Sequence, residues 1–166
     1  MHKRKEIRLK NYDYSTPGAY FVTLCSENHI NYFWKNDFNL SSFEWKCVGA
    51  NCVRPLNLPL NEVGEILRNE LEIWNKTYEG VQIYSYVIMA NHVHVMVIID
   101  EDKGRSQNAP TISRMVKQFK GSVTKKIGKS IWQKSFMEHV VRDKDDFKVR
   151  MEYIFKNPLH FENDIH

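Results

Sequence analysis

The stretch VQIYSYVIMANHVHVMVIID, residues 81–100, decides the fold that the sequence predicts. It contains two runs rich in β-branched and aromatic residues, 81–89 and 92–100, which are the composition of strands. Only Ala90 and Asn91 separate the two runs. So short a connection favours an antiparallel hairpin.

The second run of the hairpin contains a pair of histidines, His92 and His94, with Val93 between them. Side chains alternate between the two faces of a strand, so both histidines share one face and Val93 points to the other, toward a core. Two histidines placed in this way can bind one divalent cation. An ordinary pair of solvated histidines on an open sheet face fits the tripeptide equally well.

The elements outside the hairpin follow from the periodicity of apolar residues and from capping signals. We expect a strand over 19–26, a short strand over 43–48, helices over 62–78 and 111–128, a last strand within 132–141, and a C-terminal helix from the cap Asp143 to the residue before Pro158. Asn61 and Thr111 are the expected caps of the other helices. This order predicts a ferredoxin-like α+β fold: an antiparallel sheet with helices on one face, the histidine strand central, and an extra C-terminal helix. If Val93, Val95 and Val97 face those helices, both histidines are expected on the open face of the sheet, available to a metal.

Composition restricts the class of protein. A chain of 166 residues, 42% hydrophobic and 13% aromatic, predicts one globular domain over 1–166, with a mobile loop at 101–110. No apolar run is long enough to span a membrane, and no apolar segment follows the basic N-terminus, so neither a membrane nor a signal peptide is expected. The odd set Cys25, Cys47 and Cys52, without CxxC spacing, is typical of a reducing compartment. We therefore expect a cytoplasmic protein.

The net charge is +4, and basic residues are concentrated in two segments, which weakly favours an anionic partner. One is a basic arm, residues 1–18, and the other is the helix over 111–128. The candidate phosphate-binding residues are Lys3, Arg4, Lys5, Arg8 and Lys10 on the arm, and Arg114, Lys117 and Lys120 on the helix. A solvated tail and a solvated helix face would carry the same charges.

The C-terminal helix places Tyr153 away from its own apolar stripe. At about 100° per residue, Tyr153 lies roughly 130° from the centre of the stripe. Asn157 follows four residues later and shares the face of Tyr153. The stripe consists of Phe147, Met151 and Ile154. Without the histidine pair, a boundary tyrosine and an asparagine that ends the helix would be the simpler interpretation.

Four stretches, in order and correctly spaced, carry a resemblance that covers nearly the whole chain. They are RLKNYDYSTPGAYFVT (8–23), MANHVH (89–94), IWQKSFMEH (131–139) with Arg142, and YIFKNP (153–158). With this set the chain resembles the REP-associated tyrosine transposases, a branch of the HUH (His-hydrophobic-His) single-strand endonucleases. Each stretch alone is weak, whereas the ordered set is specific.

The resemblance implies roles for four residues. His92 and His94 correspond to the family's metal ligands, Tyr153 to its nucleophile, and Asn157 to the side-chain amide that completes the metal site. The implied cofactor is Mg²⁺ or Mn²⁺, and the implied partner is single-stranded or hairpin DNA cut through a 5′-phosphotyrosine. Relatives include monomers and homodimers. No chemical role is assigned to His139 or Arg142, for which positioning is the expected task.

Two positions depart from the family pattern, and two other functions stay open. Ala90 stands where proline is usual, and Val95 stands where a small residue is common, but neither change removes a reacting group. The same residues would be present in a catalytically inactive, transposase-derived protein that binds DNA hairpins. A metal-dependent hydrolase of a small substrate could also use the histidine pair.

Overall fold

The computed structural model describes residues 16–38, 58–100 and 111–158. Within them, four strands form one antiparallel sheet in the order β2-β3-β1-β4, which confirms the predicted fold class. The histidine strand β3 is central, between β2 and β1. The strands are β1 (Gly18–Cys25), β2 (Val81–Ile88), β3 (His92–Ile99) and β4 (Met137–Val141). The five basic residues of the arm, the strand expected over 43–48 and the loop over 101–110 lie outside the described residues.

The three long helices begin at the caps that the sequence predicts. They are α1 (Glu62–Thr77), α2 (Ile112–Ile127) and α3 (Lys144–Lys156). Asn61 accepts a hydrogen bond from the backbone N–H of the third helical residue of α1 at 3.0 Å, and Thr111 does the same for α2 at 3.2 Å. Asp143 accepts from two backbone N–H groups at the start of α3, at 3.0 and 2.8 Å. Each cap satisfies donors that have no partner inside the helix.

One face of the sheet is covered by α1 and α2. Val93, Val95 and Val97 of β3 point to this face and are completely buried, as the alternation of β3 predicts. Trp74 of α1 contacts Met115 of α2 through its ring N–H, at 3.3 Å, so the two helices form one layer over the sheet. Val95, one of the two departures from the family pattern, therefore lies on the face away from the histidines.

The opposite face is not open, and the expectation that it leaves both histidines exposed is wrong for His94. Helix α3 packs against β2 and β3 on this face, and the side chain of His94 is only 4% exposed. The cause is the apolar stripe of α3, in which Ile154 is completely buried. Such a stripe has to be covered, and this face of the sheet provides the surface.

Within the described ranges, no helix is both long enough and apolar enough to cross a membrane.

Candidate active site

The two histidines of β3 lie side by side on the face covered by α3. Their ring centroids are 4.6 Å apart, with an interplanar angle of 73°. Among the residues that the structure describes, no group of three or more His, Cys, Asp or Glu side chains could hold a metal ion. Within these residues, a third protein ligand beside the pair would have to be of another type, such as an amide oxygen.

The hydrogen bond with Asn91 determines which nitrogen of the neutral His92 ring carries the proton. The Asn91 Nδ2 donates to the backbone carbonyl of His29 at 3.2 Å, which orients the amide and turns its Oδ1 toward His92. This oxygen lies 2.6 Å from the Nδ1 of His92 and can only accept, so the Nδ1 carries the proton. In the neutral ring the lone pair is then on Nε2, the atom that can bind a cation.

The His94 ring is held across the sheet by Thr23 of β1. Thr23 is the register partner of His94, and its hydroxyl lies 2.8 Å from the His94 Nδ1. Burial lowers the pKa of His94 well below its ordinary value, and the neighbouring His92 lowers the pKa further. The ring is therefore neutral at neutral pH, which is the form that binds metals. A hydrogen bond to the other ring nitrogen is the usual companion of a metal-binding histidine.

Asn157, at the C-terminal end of α3, turns its amide toward the second nitrogen of His94. Its side chain is 2% exposed, and its Nδ2 lies 3.3 Å from the His94 Nε2. The Asn157 Oδ1 is buried and has no hydrogen-bond partner within the described residues. Rotating the amide by half a turn would bring this acceptor to the His94 side. A buried amide oxygen without a partner, next to a neutral imidazole nitrogen, is a donor set that Mg²⁺ or Mn²⁺ accepts, so Asn157 and His94 could hold such an ion.

Tyr153 lies at the solvent edge of the same cluster. It is 43% exposed, in agreement with its predicted position away from the apolar stripe of α3. Its ring centroid is 5.0 Å from that of His94 and 6.0 Å from that of Phe21, edge-on to both. Phe21 itself stacks on His94 at 5.2 Å. The structure thus brings all four predicted site residues together, with the phenol next to the histidine pair.

A second cluster, which we call the Asp146 network, joins β4 to α3 beside the tyrosine. His139 Nε2 lies 2.7 Å from Asp146 Oδ2, and the backbone N–H of Arg142 donates to the same oxygen at 3.2 Å. Arg150 donates through its Nε to the Oδ1 at 3.2 Å. Desolvation alone would raise the pKa of Asp146, but the hydrogen bonds from His139, Arg142 and Arg150 hold it below its ordinary value. His139 thus contacts α3 through its side chain, whereas Arg142 does so through its backbone N–H.

The sequence did not single out Thr23, Asn91, Asp146 or Arg150 for this site. The alternation of β1 does place Thr23 and Phe21 on one face, but which face of β3 they meet depends on the pairing register. One local signal for the residues of α3 is present in the sequence, because a helix places four polar residues on one side at this spacing: Asp146, Arg150, Tyr153 and Asn157.

The predicted phosphate-binding residues of α2 differ in their surroundings. Arg114 and Lys117 are exposed. The ammonium group of Lys120 instead donates to the backbone carbonyls of Gln133 and Ser135, both at 2.9 Å, and lies 5.9 Å from the ring centroid of Trp132. Burial lowers the pKa of Lys120. Lys120 therefore ties α2 to the segment before β4, whereas Arg114 and Lys117 stay candidates for phosphate contact.

The structure thus has a ferredoxin-like sheet with a histidine pair on its central strand and a tyrosine on a C-terminal helix, as the ordered motifs predict. No protein-family model matches the chain. It is 28% identical over 184 residues to an uncharacterized protein of Haemophilus influenzae, covering 99% of the chain and 93% of that protein. It is 26% identical over 81 residues to a candidate REP-associated tyrosine transposase of the same organism, covering 43% of the chain and 46% of that protein.

The fold is also similar to that of a solved protein. A REP-associated tyrosine transposase bound to a REP hairpin superimposes with a TM-score of 0.60 and 19% identity, over 93% of this chain and 74% of that one. At this sequence identity, the superposition shows that the two folds are similar. Together with the sequence match, it confirms the resemblance to the REP-associated tyrosine transposases that the ordered motifs predict.

Proposed function

We propose that the chain is a metal-dependent single-stranded DNA endonuclease and strand transferase, which acts on hairpin-forming palindromic DNA through a covalent 5′-phosphotyrosine. The observation that carries the proposal is the contact of Tyr153 with His94, whose ring also faces the amide of Asn157. The choice of hairpin DNA rests on the transposase of similar fold, which is bound to a REP hairpin.

Tyr153 supplies the nucleophile in this proposal. Its oxygen forms a bond to phosphorus while the bond between phosphorus and the 3′ oxygen breaks, and the phenolic proton is released as the 3′ oxygen gains one. A free phenol has a pKa of about 10 and attacks a phosphodiester poorly at neutral pH. Bound Mg²⁺ or Mn²⁺ would polarise the phosphate and stabilise the leaving oxygen. His92, His94 and Asn157 are the residues that would hold it.

The phosphotyrosine conserves the energy of the broken phosphodiester, so the strand can be rejoined without ATP. Phe21 and Thr23 fix the His94 ring, and the edge-on contact with that ring holds the phenol at the rim of the site. One chain contains both the tyrosine and the histidine pair that it contacts. A monomer could therefore carry out the reaction, and a homodimer is not required by the geometry.

The test of the nucleophile is covalent trapping on a single-stranded hairpin oligonucleotide with the Tyr153→Phe variant. This variant should form no adduct and should bind the hairpin about as tightly as the unaltered protein, because only the attacking oxygen is lost. Tyr84→Phe is the matched control, since Tyr84 is also partly exposed and packs against Phe147 of α3. An adduct that persists in Tyr153→Phe would move the nucleophile to another residue.

The same assay separates the three candidate functions. The proposed enzyme gives an adduct with the unaltered protein. A catalytically inactive hairpin-binding protein gives a mobility shift without an adduct. A hydrolase of a small substrate gives neither, and the similarity to transposases makes it the least favoured of the three.

The metal ligands are tested by dependence on Mn²⁺ concentration. Changing both His92 and His94 to Ala should remove adduct formation at any practical concentration. Asn157→Ala should raise the Mn²⁺ requirement and be partly rescued by excess metal, because two ligands remain, and Asn157→Asp should need less metal than Asn157→Ala. If Asn157 points away from an ion held by the histidine pair in a metal-soaked crystal, its assignment as third ligand is wrong.

A further inference from the structure

Arg150 lies next to Tyr153 on α3, although the proposed reaction gives it no task. The two residues are three apart on the helix and therefore neighbours on its surface. The guanidinium carbon of Arg150 is 5.6 Å from the ring centroid of Phe21, and the ring of Tyr153 is 6.0 Å from the same centroid. The guanidinium and the phenol therefore share one aromatic support.

The Asp146 network fixes the direction of this guanidinium. Asp146 Oδ1 accepts from the Arg150 Nε, and its other oxygen is held by His139 and by the backbone of Arg142. Only the Nε edge is engaged in this way. The two terminal nitrogens of Arg150 make no hydrogen bond within residues 16–38, 58–100 and 111–158, and the side chain is 33% exposed.

The chemistry of a guanidinium held at one edge suits a phosphate. Its terminal N–H groups form a planar fork that matches two oxygens of an anion, and its charge persists at every practical pH. The cation–π contact with Phe21 and the hydrogen bond to Asp146 restrict the side chain before any ligand arrives, which reduces the entropy lost on binding.

We propose that Arg150 binds a phosphate of the DNA strand that Tyr153 attacks, close to the scissile bond, and that Asp146 and Phe21 aim its guanidinium. This inference rests on the proposed function for the identity of the ligand. It does not depend on cleavage, because a phosphate contact is made in the bound complex whether or not the strand is cut.

The first experiment measures the salt dependence of binding to a single-stranded hairpin oligonucleotide. Arg150→Gln should lower the slope of log K against log salt by about 0.7, the value for one phosphate contact on a single strand. Glutamine keeps part of the side-chain stem, and thermal unfolding verifies that the variant is folded. Lys148→Ala is the matched control, because it removes the same charge from an exposed position about 200° around α3. Its plot should stay parallel to that of the unaltered protein.

The second experiment identifies the phosphate. The phosphates of the single-stranded segments that flank the hairpin are replaced, one at a time, by neutral methylphosphonates. At one position the replacement should weaken binding by the unaltered protein several-fold and leave binding by Arg150→Gln unchanged, because the contact is already lost. Lys148→Ala should respond at that position as the unaltered protein does.

Three outcomes would overturn the inference: parallel salt plots for Arg150→Gln and the unaltered protein, an equal loss of slope in Lys148→Ala, or additive effects at every methylphosphonate position. If the unaltered protein binds the hairpin and shows the coupling but forms no adduct, the proposed catalysis fails and the inference about Arg150 stands. If the unaltered protein binds no single-stranded DNA, both are wrong.

Discussion

Three side chains surround the ring of His94. Thr23 meets its Nδ1 at 2.8 Å, Phe21 stacks on its plane with an interplanar angle of 18°, and Asn157 lies at its Nε2. The Nδ1 is thus engaged by the hydroxyl of Thr23, and the Nε2 faces the amide of Asn157. Restraint of this kind is what holds a metal-binding histidine in one tautomer and one orientation.

The Thr23→Val substitution tests the importance of this support. Valine keeps the branched shape of the buried side chain but cannot bond to the His94 Nδ1. We expect about a 10- to 100-fold loss in Mn²⁺ affinity or in the rate of adduct formation, the usual effect of removing such a partner. Isothermal titration with Mn²⁺ and single-turnover trapping measure the two quantities. Thr23→Ser, which retains the hydroxyl, is the control, and an equal loss in both variants would mean that packing rather than the hydrogen bond matters.

At this scale the sequence predicts the candidate site residues better than the residues that support them. The histidine pair and Tyr153 could be identified because local periodicity and an ordered set of motifs mark them. Thr23 could not, since its contact with His94 joins residues 71 positions apart and depends on the register of β1 against β3. A shift of one residue would turn Thr23 to the other face of the sheet.

The C-terminal helix α3 carries two stripes with different tasks. Its apolar stripe, centred on the completely buried Ile154, fastens the helix to the sheet. The neighbouring polar stripe consists of Asp146, Arg150, Tyr153 and Asn157, spaced four, three and four residues apart. Packing of the first stripe therefore sets the position of the second relative to the histidine pair.

The existence of α3, its cap and its apolar stripe were predictable from the sequence, whereas the surface on which it packs was not. A ferredoxin-like fold leaves one sheet face uncovered, which led to the expectation of two exposed histidines. The stripe of α3 offers enough apolar surface to cover that face, but periodicity within a helix does not identify its partner. The start of β4 was equally hard to predict, because the segment over 132–141 mixes polar and aromatic residues without a period.

The attachment of α3 to β4 should depend on pH through Asp146. Because the pKa of Asp146 is lower in the folded protein, its carboxylate stabilises the fold above the ordinary carboxyl pKa of about 3.9. This contribution is lost as the pH falls through the lower, folded-state pKa. Asp146→Asn should therefore be destabilised by about 1 kcal/mol at neutral pH, and the difference from the unaltered protein should shrink below about pH 4.

Urea unfolding at several pH values, followed by tryptophan fluorescence, measures this difference. Asp145→Asn is the matched control, because it removes an exposed carboxylate from the same helical turn without touching His139 or Arg150. A difference between Asp146→Asn and the unaltered protein that stays constant from neutral to acidic pH would show that the carboxylate charge is not what stabilises the junction.

Within the part of the chain that the structure describes, Tyr153 lies at an exposed edge of the candidate site and lines neither of two cavities. A cavity of about 780 Å³ is lined by residues from the far end of β3, including Ile98, Ile99 and Asp100, and another of about 230 Å³ lies between α1 and α2. Neither contains a residue of the candidate site. An open rim with an exposed tyrosine suits a polymer that lies across the surface, whereas a small substrate is usually enclosed.

In the proposed complex with DNA, we expect the basic groups that the sequence concentrates on the arm to contact phosphates. Removing residues 1–10 deletes Lys3, Arg4, Lys5, Arg8 and Lys10. Each lost phosphate contact should flatten the plot of log K against log salt by about 0.7 to 0.9, so losing two or three contacts is measurable on a hairpin oligonucleotide. A full-length variant with the five basic residues changed to Gln separates charge from chain length, and it should match the truncation.

Parallel plots for the truncated and unaltered proteins would exclude the arm from the binding surface. Lys117→Ala would then test α2 in the same way, because Lys117 is exposed whereas Lys120 is bound to backbone carbonyls.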